Sequence, residues 1–248
     1  MKRQKITWQP VIYASLFLAA VLVLFFIYTM QNQARIQEQN RIYAEDCARQ
    51  MAERIKSEFN NALQRIETSA YLVSSEGDSI TIDAGMLKKL EGNTTFDAVR
   101  FTNADGLNLT SSGETSNSSD RNYFIRGMQG YSGLEAVAKS RITGKPMLVF
   151  YAPIRRGEEI AGMFLGLYFS GDYLQNMLST NYFGEAADVF LCTMDGRVIA
   201  SSDGRLYDGG LLECLTETGV IDAGTADAAQ AVFRDGGQAA LLCPDGYK

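Results

Sequence analysis

The apolar run Val11–Met30 decides what this chain can become. It is 20 residues long and is broken only by Ser15 and Thr29 among large apolar side chains. That is the length a helix needs to cross about 30 Å of hydrocarbon. Trp8 and Tyr28 stand where interfacial aromatics belong. Lys2, Arg3 and Lys5 precede the run, and Gln31, Asn32 and Gln33 follow it. The positive-inside rule then puts the N-terminus in the cytoplasm and the rest of the chain outside. A cleaved signal peptide is the competing reading. The run is long for an h-region, however, and no A-x-A-like site follows it. The expectation is a cytoplasmic N-terminus at residues 1–10, then a transmembrane helix in plasma-membrane lipid at residues 11–30.

A stalk helix is expected over residues 31–74. Ala48, Met51, Ile55, Phe59, Ala62, Ile66 and Ala70 recur at spacings of three and four, which is one apolar helix face. Glu53, Arg54, Lys56 and Glu58 occupy the other faces, and no proline interrupts the stretch. About 40 residues at about 1.5 Å each would reach roughly 60 Å. Such a seam can pair with its twin in a homodimer or pack on its own domain, and both uses are open. Ser74, Ser75, Glu76, Gly77 and Asp78 end the helix. A short helix is expected at Ala84–Leu90.

Two hairpins share one pattern. Phe96–Gly113 reads FDAVRFTNADGLNLTSSG, and Ala187–Gly204 reads ADVFLCTMDGRVIASSDG. A shift of 90 residues (189 minus 99) aligns Val99 with Val189, Asp105-Gly106 with Asp195-Gly196, and Ser111-Ser112 with Ser201-Ser202. Asp-Gly between alternating runs is a strong hairpin signal because it tolerates positive φ. Two hairpins at one offset suggest a duplicated domain.

Between them lies the stretch Asp120–Gly166. It reads as a helix capped by Asp120 and opening at Arg121, Tyr123 and Phe124, then a loop holding Arg141. Two strands follow, Met147–Ala152 and Ile160–Phe169, joined by the Arg155–Glu159 turn. A helix at Gly171–Leu178 leaves the lobe, and a later one is expected at Leu211–Thr218. An antiparallel sheet with helices is an α+β architecture. The first lobe spans residues 75–183, and the second, 184–248, stops soon after a strand at Ala239–Cys243. The second lobe is therefore expected to be incomplete.

Composition narrows the chemistry. The net charge of −6 argues against nucleic-acid binding through a basic surface. The absence of histidine removes Ser-His-Asp and Cys-His catalysis and any His-ligated metal site. Cys47, Cys192, Cys214 and Cys243 form no C-x-x-C pair. Small buried hydrophobes are the favoured reading for them, with a disulfide among the last three left open. No metal or other cofactor is expected.

A membrane helix, a long stalk, two hairpin-bearing lobes and a DRNYF…SRITGKP…APIRRGEEIAG core occur in that order. The chain resembles the double Cache extracytoplasmic sensor domains of bacterial membrane receptors. The most specific parts are Arg121-x-Tyr123-Phe124, Ala152-Pro153-Ile154 and Gly162. The resemblance implies two PAS-like lobes on one long helix, with a small-molecule ligand in the membrane-distal first lobe. It implies ligand-binding roles for Arg121, Tyr123 and Phe124, with Tyr151 and Tyr168 facing the same pocket and Arg141 at its edge. A guanidinium can hold a carboxylate through two parallel hydrogen bonds. Amino-acid-binding members carry an aspartate where Tyr168 stands and a tyrosine where Ser116 stands, so a small organic acid, or an uncharacterised ligand, is expected in place of an α-amino acid. The bland alternatives are that Arg121 only pairs with Asp120 at the surface, and that the aromatics are core.

The chain itself is expected to be non-enzymatic. Histidine kinases, diguanylate cyclases and chemotaxis receptors are outputs that such sensors join, beyond residue 248. A membrane-anchored hydrolase is the alternative, but no G-x-S-x-G, H-E-x-x-H or paired-acid motif occurs. A ligand-free adhesion or assembly module is the third reading.

Overall fold

The computed structural model describes residues 9–76, 82–137, 139–141, 144, 146–169, 173–179, 189–202 and 210–235. The chain forms two units, Met1–Gln50 and Met51–Lys248. One helix, α1 (Gln9–Glu76), runs through 68 residues. Pro10 falls in its first turn, where the missing N–H costs no intrahelical bond, and no later proline interrupts it.

In the first unit, α1 carries exposed Leu16, Phe17, Leu22, Leu24, Phe25, Phe26 and Met30. This part is long and apolar enough to cross a membrane by length and composition. Further along, Arg41 is paired with Glu38 at 2.7 Å and with Glu45, the helical spacing at which opposite charges meet.

In the second unit, α1 turns its apolar seam to a sheet. Met51, Ala62, Ile66, Ala70 and Val73 are buried, with Ile55, Phe59 and Leu63 packed beside them. The steps of three and four keep all of these on one side of the helix.

The sheet has six antiparallel strands: β1 (Ala98–Asn103), β2 (Leu107–Thr110), β3 (Thr115–Asn117), β4 (Gly133–Val137), β5 (Met147–Arg156) and β6 (Glu159–Phe169). Their order is β3-β2-β1-β6-β5-β4. Helix α2 (Ala84–Gly92) precedes β1, and its N-cap Asp83 accepts from the Met86 amide at 2.8 Å. The Asp105-Gly106 turn forms as the sequence indicates, with Gly106 at φ 82°. An L side chain there would also meet the Ser119 backbone within 2.8 Å.

Two strands lie outside the sequence expectations. β3 falls between the first hairpin and Asp120, where no strand is expected, and β4 within the loop before Met147. β5 also runs on to Arg156, with an irregularity between Ile154 and Arg155, so the turn is shorter than expected.

This order dictates what covers each face. β1 and β6 pair at the centre, and each half of the sheet meanders outward. The chain must therefore travel from one edge, β3, to the other, β4. Helix α3 (Asn122–Met128) makes that crossing and packs on β4, β5 and β6. Side chains alternate along each strand, so the two faces differ. Leu148, Phe150, Ala152, Ile154, Phe164 and Tyr168 join the α1 core. Met147, Val149, Tyr151, Met163, Leu165 and Leu167 join Tyr123 and Phe124 of α3 on the opposite side. Gly127 lets α3 settle close: an added Cβ would lie 2.4 Å from the Met163 methyl.

Beyond β6 come α4 (Tyr173–Leu178), the hairpin β7 (Phe190–Cys192) and β8 (Val198–Ser201), α5 (Leu211–Glu217) and α6 (Ala223–Asp235). Gly196 in the second Asp-Gly turn has φ 84°, matching Gly106. Ile199 and Ala200 of β8 reach the α1-side core. Cys47, Cys192 and Cys214 are free thiols. Burial raises the Cys192 thiol to about 11. Helix α6 was not anticipated. The strand expected at Ala239–Cys243 lies outside the described residues.

Candidate functional site

The face under α3 has an apolar half and a polar half. β5 and β6 supply the apolar half. β1, β2 and β3 supply the polar half, because their inward positions read Arg100 and Thr102, Asn108 and Thr110, and Ser116. Tyr123 joins the two halves. Its residue is 4% exposed, its ring lies in the apolar cluster, and its hydroxyl donates to Ser118 Oγ at 3.0 Å.

Asn108 is the hub of the polar half. Thr102 Oγ1 donates to its Oδ1, and its Nδ2 donates to Ser116 Oγ at 3.0 Å and to Ser118 Oγ. Thr102, Asn108 and Ser118 are all buried. Buried polar groups cost free energy unless paired, and these are paired. The exception among the described residues is Arg100, whose Nε is buried with no hydrogen-bond partner.

The sequence-predicted residues divide as follows. Tyr123, Phe124 and Tyr151 lie together on the α3 face. Arg121 occupies the N-cap position of α3 without a side-chain capping bond. Asp120, expected to cap that helix, is instead used by Arg141. The Arg141 guanidinium donates to Asp120 Oδ1 at 3.0 Å, to its Oδ2, and to the Asn117 carbonyl at 3.2 Å. The surface pair is therefore Asp120–Arg141, not Asp120–Arg121, and it ties the loop after β4 to the loop before α3.

Tyr168 does not face the same pocket as Tyr123 and Tyr151. It lies on the α1 face, across the sheet from Tyr123 and Tyr151. Its hydroxyl bonds Thr95 Oγ1 at 2.6 Å, and its ring stacks on Tyr173 at 4.5 Å. Burial raises its phenol to about 12. The cause is register: Tyr168 stands opposite Leu148 and Tyr151 opposite Leu165, so the two tyrosines have opposite parity.

Sequence reasoning passed over Arg100, Thr102, Asn108 and Ser118. A signal existed. Arginine and threonine alternate in a strand whose other positions, Val99 and Phe101, serve the α1 core. Polar residues at the covered positions of a central strand mark a face that is more than packing.

The Arg141 guanidinium holds the Asp120 carboxyl below its ordinary value, chiefly through the hydrogen bonds. A depressed carboxylate favours the folded state above its unfolded pKa of about 3.9. The contribution is lost as pH falls through the lower, folded value. Carbon NMR titration of the Asp120 carboxyl in Arg141→Ala should return it to the ordinary range; an unchanged titration would remove Arg141 as the cause.

Two open grooves lie elsewhere. One of about 530 Å³ runs past Glu67, Tyr71, Ser74 and Arg155. The other, of about 610 Å³, runs past Asn61, Gln64, Arg65 and Asn93. Both are lined by α1 and neither includes Tyr123.

No protein-family model matches this chain, and no curated protein matches its sequence. Solved structures do. The ligand-binding domain of Pseudomonas fluorescens chemoreceptor CtaA, in complex with L-alanine, is 19% identical. The match covers 69% of this chain and 76% of that one, with a TM-score of 0.56. The ligand-binding domain of Pseudomonas aeruginosa PctC, an amino acid chemoreceptor in complex with GABA, is 18% identical over 69% and 79%, with a TM-score of 0.55. That of Campylobacter jejuni chemoreceptor Tlp3 is 12% identical over 64% and 68%, with a TM-score of 0.52. The chain thus shares the α+β fold of these chemoreceptor ligand-binding domains.

Proposed function

We propose that this chain is the extracytoplasmic ligand-sensing region of a transmembrane signalling receptor. It binds a small organic acid on the α3 face. The observation that carries this reading is the buried polar half of that face, where Tyr123 reaches from the apolar cluster into the Asn108 network. A face meant only for packing has no need of so many buried hydroxyls and amides. The Cache-type fold supports a sensory role, and the named relatives bind amino acids or GABA.

Arg121 and Tyr123 stand at the start of α3 as ligand contacts, with Phe124 and Tyr151 as apolar walls. Lys2, Arg3 and Lys5 before the apolar run support a cytoplasmic N-terminus. Exposed Ile36, Ile42 and Tyr43 on α1 support pairing of the stalk with a second copy. A kinase, cyclase or chemotaxis output is joined beyond the sensing region.

Thermal melts of the full chain in lipid nanodiscs, across panels of organic acids and amino acids, test this. At least one acid should raise Tm, and Arg121→Ala and Tyr123→Ala should each lower the affinity about tenfold or more, the loss expected for a charge-assisted contact. Equal stabilisation of both variants and the wild type would place the ligand elsewhere.

A further inference from the structure

Arg100 sits in the middle of β1, between β2 and β6, opposite Thr110 and Leu165. Its neighbours in the strand fix its side. Val99 and Phe101 serve the α1 core, and Ala98 packs on the α3-side cluster. Arg100 and Thr102 therefore share the α3 face with Tyr123. Every buried polar atom of that face has a partner except Arg100 Nε, among the described residues.

We infer that Arg100 is the principal anion-binding group of the sensing face, and that the ligand's carboxylate or other oxyanion docks on its guanidinium. This rests on the reading that the α3 face binds the ligand. Three observations bear on it.

The first is the cost. Burial lowers the pKa of the Arg100 guanidinium, so the folded protein holds this charge against desolvation. A half-buried arginine whose Nε has no partner costs the empty protein stability, and an anion would offset that cost.

The second is the absence of an internal counter-ion. Glu114 and Glu91 attract Arg100 at a distance, but neither forms an ion pair with it among the described residues. Glu91 instead accepts the Val99 amide at 2.9 Å.

The third is the contrast with Arg141, whose donors are engaged by Asp120 and the Asn117 carbonyl. Tyr123, on the same sheet face as Arg100, favours the charged form of that guanidinium. A planar guanidinium beside a phenol and hydroxyls suits a carboxylate, which accepts two parallel hydrogen bonds.

The test uses the full chain in nanodiscs. The probes are propionate, pyruvate, L-lactate, succinate and L-malate, with propionamide and succinamide as uncharged counterparts. At least one acid should bind while its amide does not. Arg100→Met should lose at least tenfold in affinity for that acid, and Arg100→Lys should lose less. The ligand-free Arg100→Met protein should melt about 2–4 °C higher, the shift that about 1 kcal/mol gives in a domain of this size. A purely structural arginine would lower it.

If an acid binds Arg100→Met as tightly as wild type while Tyr123→Ala loses it, the role of Arg100 is overturned and the sensing face stands. If Arg100→Met and Tyr123→Ala both bind like wild type, both readings fail. Binding confined to the amides, or no acid bound at 10-fold molar excess over about 1 mM, a weak affinity limit, also overturns the inference.

Discussion

Tyr168→Ala should destabilise the protein by about 3–5 kcal/mol, the cost of removing a large buried aromatic. The residue is 1% exposed and touches three rings: Phe96 at 5.0 Å, Phe150 at 5.5 Å and Tyr173 at 4.5 Å. Such pairs add about 0.5–1.5 kcal/mol each beyond burial. A fall in Tm of about 6–20 °C is expected, at about 2–4 °C per kcal/mol. Tyr168→Phe keeps the rings and loses only the bond to Thr95, so it should cost about 0.5–1.5 kcal/mol. Affinity for an acid ligand should be unchanged in Tyr168→Phe. A large loss of affinity there would return Tyr168 to the ligand site.

Asn108→Leu is the second large effect. Leucine matches the volume but offers no hydrogen bonds. Thr102 loses its acceptor, and Ser116 and Ser118 lose a donor. Each buried group left unpaired costs about 1–3 kcal/mol, so a loss of about 2–4 kcal/mol is expected. The mechanism has its own control. Adding Thr102→Val removes the stranded hydroxyl, and the double variant should recover part of the loss. Strict additivity of the two substitutions would show that the hydrogen bond is not the cause.

These predictions fall on opposite faces of one sheet, and the sequence disclosed the two faces unequally. The α1 seam was legible because Met51, Ile55, Phe59, Ala62, Ile66 and Ala70 repeat at helical spacing for several turns. The hairpins were legible from Asp105-Gly106 and Asp195-Gly196, where the turn chemistry is specific. β3 was not, because Thr115-Ser116-Asn117 is three polar residues long and carries no apolar alternation. β4 has Glu135 between Leu134 and Ala136, and its pairing with β5 decides its state. The apolar face of α6 is built of small residues, Ala226 and Ala229, which mark a core seam only weakly in a sequence.

The candidate site followed the same rule. Tyr123 and Phe124 were visible as a local motif. Arg100 and Asn108 become part of the site only through strand order, which sets β1 and β2 beside β6 in the sheet whose other half α3 covers. Tyr168 was misplaced because parity across a sheet is set by register, and one residue reverses it.

The central position of β6 has a mechanical consequence. Leu165 and Leu167 point to the α3 side, while Phe164 and Tyr168 point to α1. Only one peptide backbone separates the two environments along this strand. Any displacement of β6 from the ligand side carries Phe164 and Tyr168 with it, because all four side chains hang from the same rigid ribbon. Tyr168 leans on Tyr173, whose hydroxyl donates to Glu58 of α1 at 3.4 Å. On the proposed reading of the α3 face, a ligand that pushes on β6 would reach the long helix through a short chain of contacts, Tyr168 to Tyr173 to Glu58.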